Sequence, residues 1–520
     1  MKRLLSRITC LVAVALPIVF SGNVSALVLG PVGNVGLFNP NQISPAGDGF
    51  GSAMASGDFN ADGIDDLAIA DRENPQFVRI HFGTPWNIGQ PVASPFLVQT
   101  VSVPMIPGAT LGPSIALGSG DFTKDASNDD ELVVGVPGDS FSANHAGAVF
   151  VLDRRPDASW VVALTIRQGM GGFAGISEAD DNFGASLAVG RFDSNSRVDL
   201  AIGIPGETTN GQADSGVVYV VYQGVAGLMN TNEEVFFRGA NGLTGSAIAN
   251  EQLGYALAAG DFNGDDIDDL AVGIPGNGCA GQANAGSVMV LRGRNDLNGL
   301  DAAGVSYWSQ TTAGILDDCE ASDRFGTALA AGDFTGTRIG EIFTEDLAVG
   351  IPGEALSGVT FAGAVAILSG SDSGITATDN VLIDESQMPG GTLSPAAFGA
   401  RLASGRITAA AGSGDSLVIA SPLASQSGLS LAGRAWVIPS QFDGLSMSRA
   451  HMLSLSPVYA LGPSASSDGY GSQLAIGDFN GDNNGDLAIG VPGYDTPAAN
   501  SGAVQVMYQS KFLFVHGFDN

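Results

Sequence analysis

Residues 253–276 read LGYALAAGDFNGDDIDDLAVGIPG, and this stretch decides the fold because relatives of it occur along the whole chain. A run rich in Gly and Ala leads into a turn crowded with aspartate, and the turn leads into an apolar run that ends in Pro-Gly. Six other segments begin in the same way, with an aromatic residue or Leu followed by Gly, and the seven glycines are Gly51, Gly112, Gly184, Gly254, Gly326, Gly399 and Gly471. Their spacings of 61, 72, 70, 72, 73 and 72 residues indicate an internal repeat.

Each repeat contains four short apolar runs bounded by turn residues. In the fourth copy they are Tyr255–Phe262, Leu270–Ile274, Ser287–Leu291 and Val305–Trp308, whose length and composition predict antiparallel β-strands. A four-stranded sheet of this size cannot bury both faces alone, so seven of them must pack face to face. We therefore predict an all-β fold, a seven-bladed β-propeller of four-stranded antiparallel blades. A solenoid of stacked units is the alternative, but no atypical capping repeat is evident.

The charge of the chain restricts its partners. Only 21 Lys and Arg residues stand against 53 Asp and Glu residues, for a formal net charge of −32. A polyanion would be repelled, so we expect no nucleic acid partner and no attachment to anionic membranes. Much of the acid recurs at fixed places in the repeat rather than in a tail, which points to bound cations.

The N-terminal residues MKRLLSRITCLVAVALPIVFSGNVSA have the features of a secretory signal peptide. Basic residues precede an apolar stretch at 8–20, and Val24 and Ala26 form a small-residue cleavage signature. We predict a signal peptide at 1–26 and a propeller at 27–520, secreted, periplasmic or at the cell surface and without membrane insertion. An uncleaved anchor is the alternative, although 13 residues interrupted by Pro17 are short for a span.

The acidic turn between the first and second runs follows the pattern DxNxDxxxD in copies one, four and seven. Side-chain oxygens at positions 1, 3, 5 and 9 and the carbonyl at position 7 can converge on one hard cation, which predicts calcium rather than zinc or copper, since His and Cys are absent there. The predicted ligands are Asp58, Asn60, Asp62, Ile64 and Asp66; Asp261, Asn263, Asp265, Ile267 and Asp269; and Asp478, Asn480, Asp482, Asn484 and Asp486. Asp266 and Asp268 are expected to be solvated. A merely solvated turn is the alternative to a metal site.

The other four copies retain fewer ligands. The second keeps Asp121 and Asp125 but is longer, so that Asp129 or Asp130 must serve last, and the third has Arg191 at position 1, whose guanidinium is expected to replace the cation. The fifth retains Asp333 and Asp346 around an insertion, and the sixth has lost the ligands. We expect three to four calcium ions.

The FG that opens each unit and the GIPG or GVPG that closes its second run resemble the FG-GAP repeat of integrin α-subunit heads and their bacterial relatives. The resemblance covers essentially the whole mature chain. It implies a seven-bladed propeller with calcium in the turn between the first and second strands, and a ligand-binding surface on the opposite face. It implies much less about activity, because a fold does not fix a function.

Signal-peptide removal leaves two cysteines, Cys279 and Cys319. In a propeller they would lie in a connection between the second and third strands and in the link to the next blade, both opposite the acidic turns. We predict a disulfide between blades 4 and 5, with two free thiols as the alternative.

Long variable loops lie on that same face, where loops on a rigid scaffold usually carry binding, although their composition is equally compatible with ordinary solvated turns. They span 138–147, 206–216, 276–286, 353–363 and 493–502 and are rich in Asn, Ser, Thr and Gly. We predict an exported calcium-binding module that recognises an extracellular protein or glycan. A polysaccharide- or glycan-degrading enzyme is the alternative, but no catalytic motif is present and no catalytic residue can be named.

Either FNPNQISP near the N-terminus or KFLFVHGF at the C-terminus closes the propeller by supplying its last outer strand, and the resemblance favours the first.

Overall fold

The computed structural model describes residues 28–29, 34–37, 49–71, 77–85, 98–103, 116–123, 129–297, 299–339, 342–407, 414–441, 444–455, 461, 463–495 and 499–508. The predicted signal peptide at 1–26 and the segments FNPNQISP and KFLFVHGF lie outside these residues.

The chain forms seven antiparallel blades arranged as a seven-bladed β-propeller, as the repeat predicts. The first strands are Phe50–Gly57, Ala116–Gly120, Ser186–Gly190, Ala256–Gly260, Leu329–Gly332, Arg401–Gly405 and Leu474–Gly477. The second strands are Asp66–Asp71, Glu131–Val136, Asp199–Ile204, Asp269–Ile274, Asp346–Ile351, Ser416–Ser421 and Asp486–Val491. The third strands are Phe77–His81, Ala148–Arg154, Val217–Gly224, Ser287–Arg292, Ala364–Ser369, Arg434–Ile438 and Ala503–Met507. The fourth strands of blades 1–6 are Val98–Ser102, Trp160–Ile166, Gly227–Phe236, Asp301–Trp308, Thr376–Ile383 and His451–Leu453.

The N-terminal part of the chain supplies the outer strand of blade 7. Asn34–Leu37 pairs with the third strand of that blade, and Val28–Leu29 pairs with Asn34–Leu37 to add a fifth strand. Closure from the N-terminal side is therefore confirmed. The closing strand itself immediately precedes the segment FNPNQISP that the sequence analysis named.

Short elements decorate the blades. Two-stranded hairpins form from Arg338–Ile339 with Ile342–Phe343 and from Ser440–Gln441 with Gly444–Leu445. The helical elements in the described part of the chain are two 3-10 turns, Glu385–Gln387 and Met447–Arg449. No helix among the described residues is long and apolar enough to cross a membrane.

The hydrophobic core is divided among the seven junctions between neighbouring blades. Between blades 3 and 4, for example, Val220 and Phe236 pack in one buried cluster with Val272 and Met289. Equivalent clusters fill the other six junctions, including the one between blades 7 and 1. Full burial of one such side chain contributes about 1.5–3 kcal/mol. Because blade 7 packs against blade 1, the ring is closed, and the solenoid alternative is wrong.

The glycines of the repeat motif allow the blades to approach one another. Gly286, just before the third strand of blade 4, has a φ of 90° and forms a parallel bridge with Phe325 at the start of blade 5. A Cβ on Gly286 would lie 2.3 Å from the backbone N and O of Phe325. A Cβ on Gly273, in the GIPG segment, would lie 2.1 Å from the carbonyl oxygen of Gly326. Any side chain at these positions would therefore force neighbouring blades apart.

The antiparallel order of the strands gives the ring two distinct faces. Turns between first and second strands, and between third and fourth strands, lie on one side, which we call the acidic-turn face. Turns between second and third strands, and the links to the next blade, lie on the other side, which we call the loop face. The first strands line a central cavity of about 290 Å³, and its lining residues include Met54, Ala55, Leu117, Leu187 and Ile476.

Candidate functional site

The acidic turn of blade 4 folds around its first aspartate. The Oδ1 atom of Asp261 accepts a hydrogen bond from the backbone N–H of Asp265 at 3.1 Å, and its Oδ2 atom accepts one from Asp266 at 2.8 Å. The Oδ1 atom of Asp265 in turn accepts one from the N–H of Ile267 at 3.1 Å. These bonds bend the turn back onto Asp261.

Blades 1 and 7 reproduce the same turn in full. Asp58 accepts from the N–H groups of Asp62 and Gly63 at 3.1 and 2.8 Å. Asp478 accepts from those of Asp482 and Asn483 at 2.9 and 2.7 Å. The three turns therefore share one backbone arrangement. In the described part of the chain, however, the carboxylates at positions 1, 5 and 9 do not form a group of three within 4.8 Å of one another, so the predicted ligand sets stay a prediction.

Position 9 is the first residue of the second strand and is buried in all three turns. In blade 4, Asp269 accepts from the N–H of Gly293 at 2.9 Å and from the Nδ2 atom of Asn263 at 3.2 Å. Burial, and then the charge of Asp265, raises the pKa of Asp269 to about 7. The corresponding pKa of Asp66 rises to about 8, because of burial and then of the charges of Asp62 and Asp58.

This donor set fits a hard cation. No Arg, Lys or His nitrogen among the described residues lies within 4.0 Å of a carboxylate in the turns of blades 1 and 4, although the more distant charge of Arg292 lowers the pKa of Asp265 and Asp269. Clustered carboxylates without a counter-charge repel one another and raise each other's pKa, and a bound cation removes that penalty. Five oxygen ligands with water also match the coordination that calcium prefers.

The two remaining aspartates of the opening stretch have different surroundings. Asp266 is exposed, as expected, and has a φ of 65° at the position that Gly63 and Asn483 fill in the other complete turns, with φ values of 81° and 62°. Asp268 is not a solvated charge, and that prediction is wrong. Its Oδ2 atom accepts a hydrogen bond from the backbone N–H of Arg191 in blade 3, at 2.7 Å.

Asp268 belongs to a set of four carboxylates that join neighbouring blades, which we call the seam carboxylates. Each directly precedes a second strand and accepts the N–H of the first residue in the acidic turn of the preceding blade. The pairs are Asp65 with Asp478 at 2.7 Å, Asp130 with Asp58 at 3.1 Å, Asp268 with Arg191 at 2.7 Å and Asp415 with Asp333 at 3.1 Å. A single repeat gives no sign of this role, because the partner lies in another copy.

In blade 2 the structure points to a different residue as the carboxylate at position 9 of the acidic turn. Asp125 lies outside the described residues. Glu131, which the sequence analysis did not name, is the first residue of the second strand, is fully buried and accepts from the N–H of Thr123 at 3.0 Å. It therefore takes the place of Asp66, whereas Asp130 is a seam carboxylate and Asp129 precedes it. Alignment on the start of the apolar run, DLA in other copies and ELV here, would have identified Glu131.

Blades 3 and 5 depart further from the complete turn. Arg191 is exposed, and the guanidinium whose charge lowers the pKa of Asp193 against the effect of burial belongs to Arg197. The expectation that Arg191 replaces the cation is not supported. In blade 5, Asp346 accepts from the N–H groups of Thr335 and Gly370 at 2.7 and 2.9 Å, much as Asp66 of blade 1 accepts from those of Phe59 and Gly83 at 3.0 and 2.8 Å.

The loop face is built from compact turns. In blades 3–6 the connection between second and third strands folds back on itself through short bridges, such as Cys279 with Gln282. Cys279 and Cys319 form the predicted disulfide, with their Cα atoms 6.1 Å apart, and this bond fixes the loop of blade 4 to the link that enters blade 5.

Large apolar side chains are exposed mainly on the loop face. Of the fourteen such side chains among the described residues, nine lie in its loops and links. Representative members are Phe141, Ile176, Ile248, Leu316, Phe361 and Leu423. They belong to separate loops and links of blades 2 to 6, whereas two of the fourteen, Val225 and Leu297, lie in turns of the acidic-turn face.

A scan against protein families finds the FG-GAP repeat at residues 50–76, 253–291 and 470–507. These segments contain the three complete acidic turns. Among curated proteins, integrin alpha-PS2 of Drosophila melanogaster is 31% identical over 232 residues, 44% of this chain and 14% of that protein. Phosphatidylinositol-glycan-specific phospholipase D of Bos taurus is 36% identical over 133 residues, 25% of this chain and 15% of that protein.

The matched regions are therefore about one seventh of the length of these relatives. Among solved structures, AofleA from Arthrobotrys oligospora aligns with 79% of this chain and 89% of its own, at 9% identity and a TM-score of 0.39. That similarity is too weak to inform the function.

Proposed function

Since this chain is an FG-GAP repeat protein with an integrin α-like propeller, we propose that it is an exported, calcium-stabilised module that binds an extracellular protein or glycan through its loop face. The concentration of exposed apolar side chains on that face carries the proposal. Rigid turns display these side chains, so little conformational entropy is lost on binding. The ligand itself is identified only at the level of its class.

Two features support export. The N-terminal sequence has the pattern of a signal peptide. The Cys279–Cys319 disulfide is typical of an oxidising compartment outside the cytosol. We accordingly propose that the mature protein is secreted, periplasmic or held at the cell surface.

Calcium has a structural role in this proposal. The cation would be held by Asp58, Asn60, Asp62, the carbonyl of Ile64 and Asp66 in blade 1, and by the matching residues of blades 4 and 7. Blade 2, with Asp121, Asp125 and Glu131, is a fourth candidate. Because each complete turn also touches its neighbour through a seam carboxylate or backbone bond, fixing the turn would also fix the junction between blades.

The glycan-degrading alternative has less support at the axis. Glycoside hydrolysis generally needs two suitably spaced carboxyl groups. The described residues that line the central cavity include no Asp, Glu or His. Carboxylates do lie beside the ends of the first strands, because a Cβ added to Gly57 or Gly260 would contact Asp130 or Glu345, so the enzymatic alternative stays open at that end of the axis.

Binding of the protein to an array of glycans and extracellular proteins, in calcium and in chelator, tests the proposal. Phe361→Ser combined with Phe141→Ser should lower the affinity for a hit at least tenfold, because both side chains are about half exposed on the loop face, at 54% and 47%. Val225→Ser is the matched control, since Val225 is 83% exposed in a turn on the acidic-turn face. Loss of binding with the control, or no hit on the array, would contradict the proposal.

A further inference from the structure

A second group of carboxylates lies on the loop face, away from the acidic turns. Glu320 and Asp323 belong to the link that enters blade 5, and Glu354 follows the second strand of that blade. One oxygen from each of the three lies within 4.8 Å of the other two. Asp323 and Glu354 are each 1% exposed, whereas Glu320 is exposed.

A buried glutamine contacts this cluster with half of its amide. Gln310 is 4% exposed, and its Nε2 atom donates to the Oε2 atom of Glu354 at 2.7 Å. Its Oε1 atom is buried and has no hydrogen-bond partner. An unsatisfied buried oxygen is unfavourable, so the arrangement is incomplete without a further donor or a cation.

Other blades neutralise buried acids near this position with arginine. The pairs are Arg167 with Asp139 at 2.9 Å, Arg238 with Glu251 at 2.8 Å, and Arg434 with Glu385. No Arg, Lys or His nitrogen of the described residues lies within 4.0 Å of the carboxylates of Glu320, Asp323 or Glu354.

Blade 4 provides the sharpest comparison. Arg238 lies two residues after the end of the fourth strand of blade 3, as Gln310 does after the fourth strand of blade 4. Glu251 lies three residues before the repeat glycine of blade 4, as Asp323 does before that of blade 5. Ile248 and Asn277 replace Glu320 and Glu354. One acid therefore accompanies a built-in cation in blade 4, while three acids accompany a neutral amide in blade 5.

Blade 3 repeats the acid-rich version. Gln168 donates through Nε2 to the Oε2 atom of Glu207 at 2.6 Å, and its buried Oε1 atom also lacks a partner. Glu178 and Asp181 occupy the positions of Glu320 and Asp323. Glutamine therefore accompanies three acids in blades 3 and 5, and arginine accompanies one in blade 4, but among the described residues only the acids of blade 5 lie within 4.8 Å of one another.

We propose that Glu320, Asp323, Glu354 and the Oε1 atom of Gln310 bind a calcium ion on the loop face. Presenting the Oε1 atom to the ion requires a half-turn of the Gln310 amide, in which the ion takes the place of the Nε2–Glu354 hydrogen bond. An all-oxygen donor set selects calcium over zinc or copper. Exposure of Glu320 leaves the ion open on one side, where water or an acidic group of a ligand completes its coordination. The site uses none of the residues of the acidic turns and stands independently of them.

Calcium titration of the full-length, metal-free protein by calorimetry tests the proposal. Gln310→Arg copies blade 4, so its guanidinium should occupy the place of the ion. We expect this variant to bind one calcium ion fewer per chain than the unmodified protein, and to melt no lower in chelator. Asp372→Asn, at an exposed aspartate on the acidic-turn face, is the control and should bind the same number of ions as the unmodified protein.

Terbium provides a second, local readout. Trp308 lies two residues before Gln310, so Tb³⁺ in the site should give tryptophan-sensitised emission. Gln310→Arg and Glu354→Gln should each remove that component, and Trp308→Phe should remove it without altering calcium stoichiometry. Unchanged stoichiometry and emission in both Gln310→Arg and Glu354→Gln would overturn the proposal, whatever the acidic turns bind.

Discussion

The acidic turns of blades 4 and 6 occupy the same place in the fold but differ in chemistry. In blade 4 the first strand ends at Gly260, which pairs with Asp269, and in blade 6 Gly405 pairs with Ser416 in the same register. The contact with the next blade also persists, because the N–H of Gly485 donates to the carbonyl of Arg406 at 2.7 Å. Strand pairing and blade contact therefore do not require the carboxylates.

The comparison bears on the proposed role of the carboxylates in binding calcium. Blade 6 folds with a serine at the position where blade 4 buries an aspartate whose pKa is raised by burial and by the charge of Asp265. Retaining a buried carboxylate with a raised pKa is unfavourable unless a ligand compensates it, and the charge of Arg292 offsets only part of that rise. We infer that copies one, four and seven keep their acids to bind a cation, and that copy six has dispensed with it.

Chelation should give the largest effect. Removing calcium from the complete turns should lower the free energy of unfolding by about 4 kcal/mol for each site that was held at a thousandfold excess over its dissociation constant. Thermal melting at low salt, with calcium or with chelator, measures this. An unchanged melting temperature would refute a structural role for calcium. The turns of blades 4 and 6 would then not differ in their dependence on calcium.

Asp265→Ala should reproduce part of that loss in one blade. Asp265 is exposed, so its removal should cost little in chelator but up to about 4 kcal/mol in saturating calcium. Denaturant unfolding under both conditions separates the two contributions. Ser416→Ala in blade 6 is the matched variant, and it should change stability by less than about 1 kcal/mol whether or not calcium is present, because the Ser416 hydroxyl has no hydrogen-bond partner. If calcium altered the stability cost of both substitutions equally, the turns of blades 4 and 6 would not differ in calcium binding.

Asp268→Ala should give a smaller effect that is independent of calcium. It removes the carboxylate that accepts the N–H of Arg191, at a cost of about 1–3 kcal/mol, without removing a predicted ligand. Asp266→Asn should be neutral within about 0.5 kcal/mol, since Asp266 is exposed and Asn483 already adopts the same positive φ in blade 7. Calorimetric counting of calcium ions should give the same number for both variants. A lower number for Asp268→Ala would mean that the seam and the metal site are coupled.

Several features of the site were readable from sequence because they are local. The ligands of a complete turn lie within nine residues, so Asp261 and Asp265 could be assigned from spacing alone. The disulfide could be predicted because the strand order places Cys279 and Cys319 in connections on the same face. Glu131 was missed because an insertion changed the spacing, and only its place at the start of the strand identifies it.

Other features depended on contacts between copies. Asp268 looked like a spare charge because its partner, Arg191, lies 77 residues away in blade 3. The unsatisfied oxygen of Gln310 is likewise invisible in a sequence, since it depends on which buried groups surround it.

The sequence by itself determined the number of blades, their strands and the acidic turns, because repetition and the alternation of apolar runs with turn residues are properties of a linear chain. Only the tertiary structure decided which terminus closes the ring, which acids join blades and which carry no counter-charge. Those outcomes depend on distances between residues in different copies, and hydrogen bonds and charge interactions are set by such distances rather than by order along the chain.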